Sequence, residues 1–443
     1  MTEGNIFHHL IAYAVPLMLG NVFQLTYNAV DSIIVGRYGG KDALAAVGTS
    51  GPVSTIIVLG VSGICMGAGV MMSNFFGQNN MKKLKSEYAT TLVSGTLMAL
   101  LVTALGLIFS RLILRLLQVP EEILADSGVY LRIILCGVPF TFVYNAVSYT
   151  LRSLGDSKTA TRYLAITCVL NIFLDLIFVA WFRWGVAGAG VATVISQMLS
   201  AVLCMDFVRR RIPDLKLSRR DLAIDKALFK ETMKYGSVTA LQQSCQPIGK
   251  LLIQGVINLQ GIAAMAAFNA VNRVDDFACI PEQSISHSMT TFVAQNDGAG
   301  HKERLREGFR KGIMLEAAYW VLICAVTLLF RTPIMKLFIK DDAETISIGV
   351  SYLTLMAFFY LLPGLTNGIQ GFFRGMKKMD ITLMGTIIQI SVRVIVVFVM
   401  VPKIGLDGAA WACFAGWTCM ILAEYGYYFF WYRKKEKERL GLS

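Results

Sequence analysis

Residues 88–110 read YATTLVSGTLMALLVTALGLIFS, an uninterrupted stretch without a charged side chain. As a helix rising 1.5 Å per residue, the stretch is roughly 35 Å long, enough to cross the ~30 Å hydrocarbon core of a bilayer. Outward from it in both directions, similar apolar runs recur at intervals of roughly 30 to 40 residues, from Leu10 to Tyr432. The whole chain has 443 residues, 55% hydrophobic and only 16% charged, with mean hydropathy +0.58. Soluble domains carry about 25% charged residues. The pattern describes an all-α polytopic membrane protein and excludes a soluble enzyme, a secreted disulfide scaffold and a disordered regulator. Twelve transmembrane helices are predicted, at roughly 10–35, 44–76, 88–110, 128–151, 163–182, 188–208, 234–258, 261–293, 312–330, 347–373, 381–401 and 408–432.

The net charge of +12 raises the question of nucleic acid, and its distribution answers it. With both termini placed inside, 28 of the 41 Lys and Arg residues fall in cytoplasmic segments and 9 in outer ones. Arg132, Lys250, Arg273 and Arg393 fall within spans, Lys234 at the edge of its span being counted as cytoplasmic. The densest clusters are Arg209, Arg210, Arg211, Arg219 and Arg220 in one connection, and the tail from Arg433 to Arg439. Such asymmetry is the positive-inside rule. The expectation is a multi-pass protein of the cell (inner or plasma) membrane with cytoplasmic termini and no nucleic-acid partner. The nine cysteines are scattered, without a CxxC pair or a Cys/His cluster; they read as small apolar packing residues. His8, His9, His287 and His301 form no metal-binding spacing, and Met1 to Leu10 lacks the features of a cleaved signal peptide, so the first span is expected to be retained.

The polar connection from Arg209 to Lys230 divides the chain near its middle, and the two halves resemble one another. Leu44-Ala45-Ala46-Val47 matches Met265-Ala266-Ala267-Phe268; Phe75, Gln78 and Asn79 match Phe292, Gln295 and Asn296. Asn145 with Arg152 matches Asn367 with Arg374, and Gly185 with Gly188 matches Gly405 with Gly408. The matches keep their order at offsets between 217 and 222. Six spans per half predicts two pseudo-twofold-related six-helix lobes, the axis lying along the membrane normal. The expected divisions are an N-lobe over 1–215, a cytoplasmic linker over 216–233, a C-lobe over 234–432 and a basic cytoplasmic tail over 433–443. Repeats of this kind are typical of transporters that work by alternating access.

Ionised side chains inside a bilayer cost about 2.5–3.5 kcal/mol each on insertion scales, so those retained are functional candidates. In span 1, Gln24, Tyr27 and Asp31 are three and four residues apart and stack on one helix face. In span 5, Asn171 and Asp175 share a face in the same way; Thr193 follows in span 6, and Tyr130 and Asn145 lie in span 4. Neither aspartate has a basic residue within a helical turn. Two carboxylates with amide and hydroxyl oxygens can hold a proton or coordinate a small hard cation such as Na⁺. The alternative is that all of them are ordinary interhelical hydrogen-bond partners. In the second half, Arg393 falls near the position equivalent to Asn171, and a fixed positive charge there is a poor place for a cation; the coupling site is therefore expected in the first half alone. Glu282 follows Pro281 in span 8, Asp276 and Arg273 are spaced as an i,i+3 ion pair, and Lys250 and Glu424 stand isolated. Pro16, Pro52, Pro281 and Pro363 interrupt spans and supply bends. The 20 methionines suit a soft cavity or ordinary packing equally.

The run "NVFQLTYNAVDSIIVGRYGGKDAL" (21–44) resembles the first helix of the multidrug and toxic compound extrusion (MATE) family, as do "FFGQNN" (75–80), "LRSLGDSK" (151–158), "NIFLD" (171–175) and "GVAGAGVATVISQ" (185–197). The likeness covers essentially the whole chain. It implies twelve helices in two lobes and export of organic compounds by antiport with protons or sodium, from a monomeric transport unit. In the branch with an N-lobe cation site, the family's ligands match Asp31, Asn171, Asp175 and Thr193, and its lobe-lining residues match Gln24, Tyr27, Tyr130 and Asn145. Another branch uses a glutamate in helix 7 and an aspartate in helix 10. Here helix 7 reads "ALQQSCQPIG" (240–249), without a carboxylate, and helix 10 offers Asn367.

The expected function is a cation-coupled antiporter, using H⁺, Na⁺ or both, that exports organic, cationic amphiphilic drugs or metabolites and needs no cofactor. Asn367, Glu282 and Arg393 join the N-lobe residues as candidates for the substrate cavity. The second reading is a flippase for lipid-linked precursors, which would gather Lys250, Arg273 and Arg393 around a basic cavity. No HExxH, GxSxG or paired catalytic motif supports an enzyme.

Overall fold

The computed structural model describes residues 1–339 and 342–432; the basic tail from Arg433 to Arg439 lies outside them. Among the described residues the chain is helical almost throughout. The helices are α1 (Ile6–Ile34), α2 (Gly40–Gly77), α3 (Met81–Leu116), α4 (Glu121–Ser153), α5 (Lys158–Asp175), α6 (Gly185–Arg211), α7 (Lys226–Asn258), α8 (Ile262–Gly298), α9 (Lys302–Phe338), α10 (Ala343–Phe359), α11 (Leu361–Gly375), α12 (Met379–Ile404) and α13 (Asp407–Gly426). One predicted span, 347–373, is split at Tyr360 into α10 and α11. Pro363 is the cause: it has no N–H to return to the preceding turn and its ring crowds that turn.

Eight helical stretches among the described residues are long and apolar enough to cross a membrane, the first being Ile6–Gly77, which holds two predicted spans. In the most apolar windows of α3 and α9 only 22% and 17% of residues are buried. Large side chains such as Ile108 and Leu329, 72% and 75% exposed, point outward from them. Leaving each in water forfeits about 1.5–3 kcal/mol, whereas hydrocarbon accepts it freely. The predicted spans at 234–258, 261–293 and 408–432 are also helical, as α7, α8 and α13, but are more polar, with Gln242, Glu282 and Glu424 among their buried residues. Their polar groups face protein, so they escape a purely apolar criterion.

The chain packs as two compact units, residues 15–240 and residues 1–14 with 241 onward. In the first, α4 packs on α2 and α6, and α5 on α6; in the second, α11 packs on α8 and α13, and α12 on α13. These pairings repeat each other about half a chain apart. Helices α1 and α7 each begin in one unit and continue in the other. The start of α1 is held in its unit by Tyr13 to the Thr291 hydroxyl at 2.8 Å and by Ser288 donating to the Leu10 carbonyl at 3.0 Å.

The start of α7 is held to α3. Thr232 and Thr91 donate to the fully buried Glu87 carboxylate at 2.5 and 3.1 Å, and the Asp225 amide donates to Thr90 at 3.2 Å. Just upstream, Lys85 pairs with Asp221 at 2.9 Å. This lysine and the Ser218 hydroxyl and amide hold the Asp221 carboxyl well below the usual carboxylate range. The polar connection is thus a structured segment laid against α3. Because Glu87 Oε2 has no partner of its own, Thr232→Val removes the shortest of the bonds that offset burial of this carboxylate. The expected cost is about 1–3 kcal/mol, measured as a lower thermal midpoint of the purified protein.

Candidate functional site

Asp31 lies in the last turn of α1 and Asp175 is the last residue of α5. Beyond each, the backbone widens into a π-helical stretch, Val35–Gly39 and Leu176–Trp181. Such stretches are rare and concentrate at functional positions. The two carboxyl groups interact directly, and Tyr27 of α1 and Tyr130 of α4 stand in the field of both. Asp175 is 0% exposed and Asn171, one turn earlier on the same face, 1%. Asp31 Oδ1, both oxygens of Asp175 and both amide atoms of Asn171 are buried without a hydrogen-bond partner.

Ionised carboxylates offer acceptors only, so two that face one another cannot satisfy each other. Five unpartnered buried polar atoms in one place amount to a demand for a donor or a positive charge. A shared proton fits, and so does a small cation taking oxygens from Asp31, Asp175 and Asn171. Among the described residues no three His, Cys, Asp or Glu side chains converge as a metal centre.

The other residues singled out from sequence fall in different surroundings. The Thr193 hydroxyl donates to the Ala189 carbonyl at 3.0 Å, and the Asn145 amide to the Thr141 carbonyl at 2.8 Å, each within its own helix. Gln24 is exposed and Tyr27 half-buried. In the second unit, Asn367 of α11 donates to the Glu282 carboxylate of α8, whose residue is 1% exposed. Arg393 of α12 is hydrogen-bonded to Cys413 of α13, near Asp275.

Two sequence expectations need correction here. Asp276 pairs with Lys250 on α7 at 3.3 Å and not with Arg273 three residues before it, because the neighbouring helix presents its ammonium closer. Glu424 is not isolated: Gln370 Nε2 donates to it at 3.1 Å, in a buried set where Gln242 donates to Gln370 and Thr386 and accepts from Thr382, each at 3.1 Å. Sequence reasoning passed over this set and Glu316 of α9. Glu316 is an acid inside an otherwise apolar span, which is the signal that marked Asp31. The Asp275–Tyr360 bond, with the hydroxyl donating at 2.5 Å, was equally unannounced.

The protein-family model MatE matches residues 16–177 and 239–399, the second stretch beginning about half a chain after the first. The "Probable multidrug resistance protein YoeA" of Bacillus subtilis is 30% identical over 452 aligned positions, covering 99% of this chain and 97% of that protein. The "Probable multidrug resistance protein NorM" of Thermotoga maritima is 28% identical, covering 90% and 87%. Among solved structures, an outward-facing multidrug resistance MATE transporter of the MOP superfamily superposes with a TM-score of 0.90 at 22% identity, covering 98% and 96%. With the fold, the duplicated match and the full-length relatives in agreement, the chain belongs to the MATE family of multi-pass membrane transporters, which are not enzymes.

Proposed function

We propose that the protein is a cation-coupled antiporter of the cell membrane that exports organic cations, with its coupling site in the unit built from residues 15–240. The carrying observation is the set of five unpartnered buried polar atoms on Asp31, Asn171 and Asp175. Entry of H⁺ or Na⁺ from outside neutralises that set, and its departure to the cytoplasm restores the negative region that attracts the next substrate. Thr193 completes the cation's oxygen set; Gln24, Tyr27, Tyr130 and Asn145 contact substrate in this unit, and Asn367 is the candidate contact of the other. Glu282 and Arg393, buried in networks of their own, are given no substrate contact. Exchange of one H⁺ or Na⁺ for a monovalent organic cation moves no net charge, so the concentration gradient of the coupling ion drives it; a neutral substrate would also draw about 2.3 kcal/mol per 100 mV of membrane potential.

In the same reading α7, α8 and α13 also cross the membrane. The protein then has twelve helices in two six-helix lobes, with both termini cytoplasmic and the chain acting as a monomer. The positive-inside distribution supports that orientation. The flippase alternative loses support at Lys250, which is taken up by Asp276.

The test is efflux of a fluorescent organic cation from proteoliposomes, with a pH gradient and a Na⁺ gradient imposed separately. Wild type is expected to respond to at least one gradient and Asp31→Asn to neither. Unchanged gradient-driven efflux in Asp31→Asn would remove the site assignment, and a wild type indifferent to both gradients would remove the antiport itself.

A further inference from the structure

A second pair of acids lies in the other unit, where sequence placed no cation site. Glu282 of α8 and Glu316 of α9 are each 1% exposed. Their carboxylates converge on the face of Gly364 in α11: a Cβ there would sit 3.7 Å from Glu316 Oε2 and 3.9 Å from Glu282 Oε1. Glycine leaves that space open to the two oxygens. Both oxygens of Glu316, and Glu282 Oε2, have no hydrogen-bond partner, and neither residue has an ion-pair partner among the described residues.

The surroundings make a proton the fitting ligand. Asp275 and Cys279 of α8 and Tyr319 of α9 stand in the field of Glu282, as does Tyr425 of α13 in that of Glu316; His287 lies further along α8. Glu424 of α13 is engaged by Gln370, and the Arg374 guanidinium donates to Ser286 at 2.7 Å. No described cation is spent on the pair. Two ionised carboxylates so placed would repel in a medium that cannot screen them. Asn367 is hydrogen-bonded to Glu282. Glu316 has no hydrogen-bond partner on either oxygen, and a proton there would supply the donor its surroundings lack.

We propose that Glu282 and Glu316 form a second proton-binding site, in which one proton is held on Glu316 in the field of the Glu282 carboxylate beneath Gly364. Neither residue stands at a position that the family resemblance supplies. Proton binding rests on this geometry alone; its use in transport rests on the antiport proposed above.

The test uses the wild-type protein in nanodiscs, treated with dicyclohexylcarbodiimide over a series of pH values, with adducts located by peptide mass spectrometry. This reagent modifies protonated carboxyls in apolar surroundings. Labelling of Glu316 is expected at low pH, falling about tenfold per pH unit once the proton is lost. Labelling that is constant across the series means a permanently protonated, structural acid and overturns the proposal; so does no labelling at any pH. The same digest reports Asp31 and Asp175. A pH-dependent label there with none on Glu316 overturns the second site and leaves the antiporter standing; the reverse pattern supports the second site and leaves Na⁺ as the ion of the first. As a second readout, Glu316→Gln in proteoliposomes is expected to exchange one proton fewer per substrate than wild type, and an unchanged ratio excludes the site from transport.

Discussion

Asp175→Asn is expected to abolish gradient-driven efflux and, at alkaline pH, to make the protein more stable. Both follow from one feature: a carboxylate fully removed from solvent with neither oxygen bonded. The amide keeps the shape of the side chain and cannot bind a proton or neutralise a cation. The accumulation that an imposed H⁺ or Na⁺ gradient drives should therefore collapse to none. Where the wild-type pair is forced to ionise, the substitution removes an unpaired buried charge and its repulsion by Asp31. The gain is about 1–3 kcal/mol, visible as a raised thermal midpoint. It should shrink as the pH falls and a proton relieves the wild-type pair. A variant that retains coupled efflux and melts lower would mark Asp175 as a structural hydrogen-bonding residue instead.

The second large effect is steric. A Cβ on Gly67 of α2 would lie 2.6 Å from the Gly236 amide nitrogen, 2.7 Å from its Cα and 2.9 Å from the Tyr235 carbonyl carbon, all backbone of α7. No rotamer change relieves a clash with backbone, so even Gly67→Ala must push the two helices apart. The expected loss is about 3 kcal/mol, at the upper end of overpacking costs, read as a lowered thermal midpoint in detergent. Gly51→Ala on the same helix is the control. Nothing lies within 4 Å of its Cβ position, so the change should be neutral or slightly stabilising, by up to about 1 kcal/mol. Equal effects of the two substitutions would show that the α2–α7 approach carries no special stability.

The residues of the first site were legible because a bilayer penalises charge. Asp31 and Asp175 stand out from apolar runs without knowledge of any neighbour, and the spacings Tyr27–Asp31 and Asn171–Asp175 place each pair on one face. Glu316 obeys the same rule and could have been found by applying it evenly. The Gln242–Gln370–Glu424 set could not, because amides are common in helices and only packing shows which of them meet. The expected Arg273–Asp276 pair failed for a related reason: sequence spacing ranks partners within a helix, while Lys250 approaches from another.

The sequence by itself determined that the chain is helical, crosses a membrane and is duplicated, because hydropathy and spacing are properties of single segments and of their order. It also nominated Asp31, Asn171 and Asp175, since an intramembrane acid is costly wherever it points. Only the tertiary structure decided which acids face one another, that Gly67 and Gly236 bring two backbones together, and that Glu282 finds Glu316 beneath Gly364. Those pairings join residues from different helices. Lateral packing sets them through side-chain shape, which no local spacing encodes.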